Sequence, residues 1–149
     1  MLTDCTESIK QLIHNGADEI DKKFLEACRG ICHPRITLKV ILETGALINH
    51  DVIFDATILA IEAGADFIKT STGKRTAGDT HQAAEIILEA IKSRPNKKAG
   101  LKVSGGVRTV SQALDYLQLV KDKMGSPLDH SSNSSLWRQP FTRCIFLVT

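Results

Sequence analysis

At 149 residues, with 42% hydrophobic and 24% charged side chains, the chain has the size and balance of one globular domain with a proper core. A formal net charge of +2 excludes the basic excess that marks a nucleic-acid or membrane-surface partner. No apolar run approaches transmembrane length and the N-terminus lacks a signal-peptide core, so the expected address is the cytosol.

In chain order, Thr3 to Asn15 reads as an amphipathic helix with Ile9, Leu12 and Ile13 on one stripe, ended by Asn15-Gly16. Ala17 to Asp21 is a short strand candidate, and Lys22 to Cys32 a second helix with Phe24, Leu25, Cys28 and Ile31 on one side. His33-Pro34 breaks that helix. Thr37 to Thr44 is nearly continuous in apolar residues, as in a strand covered on both faces, and Gly45 closes it. Asp51 to Ala63 reads as helix, Gly64 to Lys69 as strand, Thr80 to Ser93 as helix and Ala99 to Ser104 as strand. Val110 to Met124 reads as a helix whose stripe is Val110, Ala113, Leu114, Leu117 and Val120. Alternation of this kind predicts an α/β fold with a parallel sheet or barrel and helices outside. From Ser126 to Gln139 the chain turns polar and serine-rich, as loop or disorder does, before the strand-like Cys144 to Thr149. The expected division is therefore 1–125 as the folded domain and 126–149 as a tail.

Cys5, Cys28, Cys32 and Cys144 lack a secreted disulfide spacing and read as free thiols. Cys28, Cys32 and His33 form one cluster without a second ligand pair, so no metal is expected there.

The chemistry centres on Gly64-Ala-Asp-Phe-Ile-Lys-Thr-Ser-Thr-Gly-Lys74, a buried strand running into small hydroxyl residues. Lys69 falls where a parallel strand gives way to its loop, the place where α/β folds keep their reactive groups. Moved out of bulk water and near another cation, its amine loses a proton more easily and becomes a nucleophile. The Thr-Ser-Thr-Gly loop offers hydroxyl and backbone N–H groups as a seat for an oxyanion or phosphate. Lys102 falls near the end of the next strand, before Gly105-Gly106, where an anion can approach the backbone closely, and Arg108 can pair with a phosphate. An internal echo aligns Ile13 to Asp21 with Ile61 to Lys69 at five of nine positions, which puts Asp21 and Lys69 at equivalent strand ends. Two lysines and a carboxylate make a set for imine chemistry: one amine attacks a carbonyl, the second lowers its pKa, and the carboxylate shuttles protons.

Leu38-Lys-Val-Ile-Leu-Glu-Thr-Gly45, Ala65-Asp-Phe-Ile-Lys-Thr-Ser-Thr-Gly-Lys74 and Leu101-Lys-Val-Ser-Gly-Gly-Val-Arg-Thr109 together resemble the deoxyribose-phosphate aldolases, over about Gly16 to Met124. The resemblance implies a partial TIM (β/α)8 barrel, about four βα units corresponding to strands 4–7. It implies Lys69 as the Schiff-base lysine, Lys102 as the lysine that perturbs it and Asp21 as the proton relay. Thr72 and Lys74 would line the substrate pocket, with Gly106 and Arg108 near the phosphate. The implied reaction splits 2-deoxy-D-ribose 5-phosphate into D-glyceraldehyde 3-phosphate and acetaldehyde, with neither a metal nor an organic cofactor.

This sequence departs from that pattern. The family's first three strands have no counterpart, and the segment between Asp21 and Lys39 is short enough to delete a loop and make Asp21 a helix cap. Lys102 is followed by Val-Ser rather than Pro-Ala, and the last strand is replaced by the tail from Ser126, as in an altered splice product or gene-model error. Four or five strands do not close a barrel filled from eight, so the sheet is expected to expose an inner face and two edges and to self-associate. The second functional reading is therefore an inactive, truncated form that at most binds a partner.

Overall fold

The computed structural model describes residues 19–47, 49–72, 80–104, 107–125 and 145–146, and of 19–21, 80 and 145–146 the backbone alone. The helix expected over 3–15, Lys74, Gly106 and the polar stretch 126–139 lie outside the described residues.

Helices and strands alternate along the chain. They are α1 (Glu19–Ile31), β1 (Lys39–Ile41), a 3-10 turn (Thr44–Ala46), α2 (His50–Glu62), β2 (Phe67–Lys69), α3 (Thr80–Lys92), β3 (Gly100–Val103), α4 (Val110–Met124) and β4 (Ile145–Phe146). The strands form one parallel sheet in the order β1-β2-β3-β4. Among the described residues β1 and β4 are its edges. The terminal strand-like segment thus supplies a fourth strand, with Ile145 beside Lys102 and Phe146 beside Val103.

Side chains alternate across a strand, so the register sorts residues onto two faces. Val40, Ile68 and Leu101 share one rank and one face, and are 0%, 0% and 1% exposed. They belong to the core made with Ile61 of α2, Ile87, Leu88 and Ile91 of α3 and Tyr116, Leu119 and Val120 of α4. Lys39, Phe67 and Gly100, then Ile41, Lys69 and Lys102, lie on the opposite face. That face is less open than expected, because Ile41 and Lys69 are themselves buried and Lys39, Phe67 and Lys102 half-buried.

Local chemistry sets the ends. Asn49 caps α2 by accepting from the Asp51 N–H, and Thr109 with Gln112 makes a reciprocal capping box at α4. At the far end of the sheet Asp66 accepts from the Arg29 guanidinium and the Leu38 N–H, both at 2.9 Å. Arg29 also donates to the Ile36 carbonyl, so one side chain ties α1 to the entries of β1 and β2. Gly64 sits under it at φ +97°, where an added Cβ would lie 2.9 Å from Arg29 Cγ. Gly64→Ala is therefore expected to lower stability by about 1–3 kcal/mol, read as a lower urea midpoint at unchanged slope.

Three expectations change. Residues 19–21 are the first turn of α1, not the end of a strand. Asp and Glu are poor in strands and favoured at helix starts, and that local preference prevails. The echo with Ile61 to Lys69 therefore does not extend to structure, and Asp21 is not an N-cap. β1 stops at Ile41 because the chain turns at Glu43, ahead of Gly45. Finally, α4 buries Tyr116, Leu119 and Val120, leaving Val110 and Leu114 77% and 57% exposed. The buried stripe is rotated toward α3, where Tyr116 stacks on His81 with ring centroids 5.3 Å apart and Lys123 reaches Glu85 and Glu89.

Candidate active site

Three lysines meet on the sheet face away from the helices. Lys69 is the last residue of β2, and the β2–β3 register places Lys102 directly beside it. Lys39, two residues before Ile41 on β1, is on the same face, because Ile41 is the register partner of Lys69. Lys69 is 7% exposed, and its amine donates to the Ser71 carbonyl. A buried amine at the carboxyl end of a parallel strand is the arrangement the sequence reading anticipated. Lys39 it missed: only the register between β1 and β2 brings that side chain to the others.

The electrostatics follow from crowding three cations. Burial, then a hydrogen bond to Lys39, then the charges of Lys39 and Lys69 push the Lys102 amine down from 10.5 to about 8. A hydrogen bond between two lysine amines requires one of them to be neutral, since an ammonium has no acceptor. The amine pushed down is Lys102 itself, whereas the sequence led one to expect Lys102 to act on Lys69, and Lys39 is the stronger neighbour of Lys102. Lys39→Met is expected to raise the Lys102 pKa, followed by side-chain NMR titration; an unmoved value would rule out the coupling. The sign for stability follows as well. Above pH 8 the folded chain sheds the Lys102 proton while the unfolded chain holds it up to about 10.5. Stability from this group therefore rises between those values, and the cost is fully present below pH 8.

The loops beyond the strands are laced by hydroxyl groups. Thr70 Oγ1 and Ser71 Oγ donate to the Ser104 carbonyl at 3.2 and 2.8 Å, the Ser104 N–H donates to Thr70 Oγ1, and Ser104 Oγ donates to the Ser71 carbonyl. Thr72 turns the other way. Its N–H and hydroxyl donate to Glu43 Oε2 at 3.1 and 2.6 Å. The hydroxyls of residues 70–72 therefore donate into the protein rather than forming an open anion seat. Glu43 is 2% exposed, has φ 49° and leaves Oε1 buried with no hydrogen-bond partner among the described residues. Sequence reasoning passed over it, because a carboxylate after an apolar run reads as a strand end.

The remaining predicted residues spread outward. Arg108 is exposed at the entry to α4, its N–H held by Gln112 Oε1, and the buried Val107 precedes it. Asp21 lies in the first turn of α1. Lys74 and Gly106 fall outside the described residues. No described helix is long and apolar enough to cross a membrane.

A parallel α/β sheet with its helices on one face defines the class, part of a (β/α)8 barrel, with Lys69 and Lys102 side by side toward its carboxyl edge. Comparison with known proteins carries this further. Residues 16–126 match the DeoC/LacD family of aldolases, and the chain belongs to that family. It is 44% identical over 128 residues to a deoxyribose-phosphate aldolase of Agrobacterium fabrum, a match covering 75% of this chain and 49% of the relative. The chain thus spans about half the length of the curated relative it matches. Among solved structures it resembles a protein of Toxoplasma gondii ME49 assigned as a deoxyribose-phosphate aldolase. There the TM-score is 0.69 at 24% identity, covering 78% of this chain and 48% of that one, a likeness of fold. A similarly assigned protein of Coccidioides immitis matches with TM-score 0.58 and 30% identity over 66% of this chain and 38% of its own.

Proposed function

We propose that the chain carries the Schiff-base half of a deoxyribose-phosphate aldolase site, working in the cytosol in the breakdown of deoxyribonucleotide sugars. The observation that supports this most is the strand register that sets the buried Lys69 beside Lys102. The neutral Lys69 amine adds to the C1 aldehyde of 2-deoxy-D-ribose 5-phosphate, and loss of water leaves an iminium ion. A base takes the C3 hydroxyl proton, the C2–C3 bond breaks toward the iminium, and D-glyceraldehyde 3-phosphate departs. The enamine left on Lys69 picks up a proton at C2, and water releases acetaldehyde. Positive charge on Lys102 and Lys39 near the amine favours its neutral, nucleophilic form, and the same repulsion disfavours the cationic iminium and so pushes the bonding electrons of C2–C3 toward the neutral enamine. In this reading Asp21 serves the proton relay, Thr72 and Lys74 line the pocket, and Gly106 and Arg108 receive the phosphate beside the start of α4. No metal or organic cofactor enters.

The test is reductive trapping. The chain is incubated with acetaldehyde and borohydride, and the modified peptide is mapped. A stable adduct on Lys69 supports the reading, and no adduct at any pH leaves a catalytically silent member of the family. The helical turn at Asp21 favours that second reading, since a relay group on a helix start is not at a strand end.

We also infer self-association. The sheet has edges at β1 and β4 among the described residues, and Ile31, Val110 and Leu114 are exposed. Sedimentation velocity is expected to show a coefficient that grows with concentration, and a constant monomer value would reject the inference.

A further inference from the structure

We propose that Glu43 is a positioning residue that holds the Thr72 hydroxyl ready to accept a substrate O–H. This rests on the aldolase reading for its substrate, and on geometry for the rest. At the end of β1 the ladder to β2 slips. The Leu42 N–H donates to the Lys69 carbonyl and the Thr44 N–H to the Thr70 carbonyl, so two residues advance on one side against one on the other. The extra residue is Glu43, in the left-handed region at φ 49°, ψ 55°. A bulge of this kind re-aims a side chain, and here it turns a carboxylate into a buried site.

A non-glycine residue in that conformation is unfavourable, and so is a buried carboxylate with one oxygen unpartnered. A merely structural turn needs neither, and glycine would serve it better. Such costs gather where a functional group must be held. What Glu43 holds is Thr72, through both the N–H and the hydroxyl. Ser104 laces residues 70 and 71 from the β3 side, and Glu43 holds 72 from the β1 side, so Lys69 lies between two anchors. With its proton committed to Oε2, the Thr72 oxygen can act further only as an acceptor. It therefore favours a substrate carrying a hydroxyl over one lacking it.

The experiment uses the full chain and the variants Glu43→Ala, Glu43→Gly, Glu43→Gln and Thr72→Val, each checked for an unchanged thermal transition. Two quantities are read: hydrogen exchange of the Thr72 amide, and the concentration for half-maximal borohydride trapping with acetaldehyde and with 2-deoxyribose 5-phosphate. Glu43→Ala and Glu43→Gly are expected to speed the exchange about tenfold and to raise the half-maximal sugar phosphate concentration about tenfold, leaving that for acetaldehyde within about twofold. Glu43→Gln, whose amide oxygen still accepts, is expected to stay near wild type. Adding Glu43→Ala to Thr72→Val is expected to leave both trapping concentrations where Thr72→Val puts them and to speed only the amide exchange, because the residue 72 N–H still donates to Glu43 in Thr72→Val. Normal behaviour of Glu43→Gly would assign the effect to backbone strain and overturn the proposal. So would an unchanged Thr72 amide in Glu43→Ala, or an equal loss of both trapping reactions. If the wild-type chain traps neither aldehyde, the aldolase reading fails by itself, and the amide exchange alone decides whether Glu43 positions Thr72.

Discussion

Lys69→Ala is expected to abolish the borohydride-trapped adduct, a loss of at least about three powers of ten, because on the proposed mechanism the variant removes the atom that bonds to the carbonyl carbon. Lys69→Arg should lose as much, since a guanidinium keeps the charge but is never neutral enough to attack. The fold should barely notice. The Ser71 carbonyl that accepts from Lys69 also accepts from Ser104 Oγ, so no buried acceptor is stranded. A stability change of about 1 kcal/mol is the size expected for the lost hydrogen bond. Large loss of adduct with small loss of stability separates a nucleophile from a packing residue. An adduct that survives in Lys69→Ala and maps to Lys39 or Lys102 would move the nucleophile to another member of the triad. The three amines share one face, so peptide mapping is needed as well as total mass.

How far the sequence reaches is visible in those same residues. Lys69 is legible because it closes an apolar run followed by small polar residues, the local signature of a buried strand meeting its loop, and Lys102 because it falls one residue short of such an end, before Val103 and Ser104. The strands from Lys39 to Ile41, from Phe67 to Lys69 and from Gly100 to Val103 fall inside the stretches predicted for them, as do α2, α3 and α4 to within a residue. What fails is anything that depends on a neighbour. Lys39 becomes a site residue only through its register two strands away from Lys102, and period-two reading of one strand cannot supply register. Glu43 depends on a bulge, and a bulge is a mismatch between two ladders. The stripe on α4 is rotated because Val110 and Leu114 have no partner surface among the described residues, while Tyr116 and Leu119 do. Asp21 misled for the opposite reason. A nine-residue echo outweighed local propensity, and Glu19-Ile-Asp21 follows propensity into a helix.

Ile68→Ala is expected to lower stability by about 2–5 kcal/mol, whereas Phe67→Ala, one residue earlier and larger, should cost less. The two side chains point to opposite faces of the same strand. Ile68 is 0% exposed at the centre of the rank Val40-Ile68-Leu101, pressed between the sheet and the helices, with strands on both sides to resist collapse of a cavity. Phe67 is only half-buried on the other face, beside Lys39 and Gly100, where water can replace part of what truncation removes. In a closed eight-stranded barrel that face would be packed with side chains from every strand, and the larger residue would cost more. The ratio of the two losses in urea denaturation is therefore a measure of closure. A greater loss for Ile68→Ala marks an open inner face, and a greater loss for Phe67→Ala marks one that is filled. The same ratio bears on chemistry, because Lys69 shares its face with Phe67. A water-poor setting for the amine then rests on the local cover given by Ser71, Thr72 and Ser104 rather than on a barrel interior.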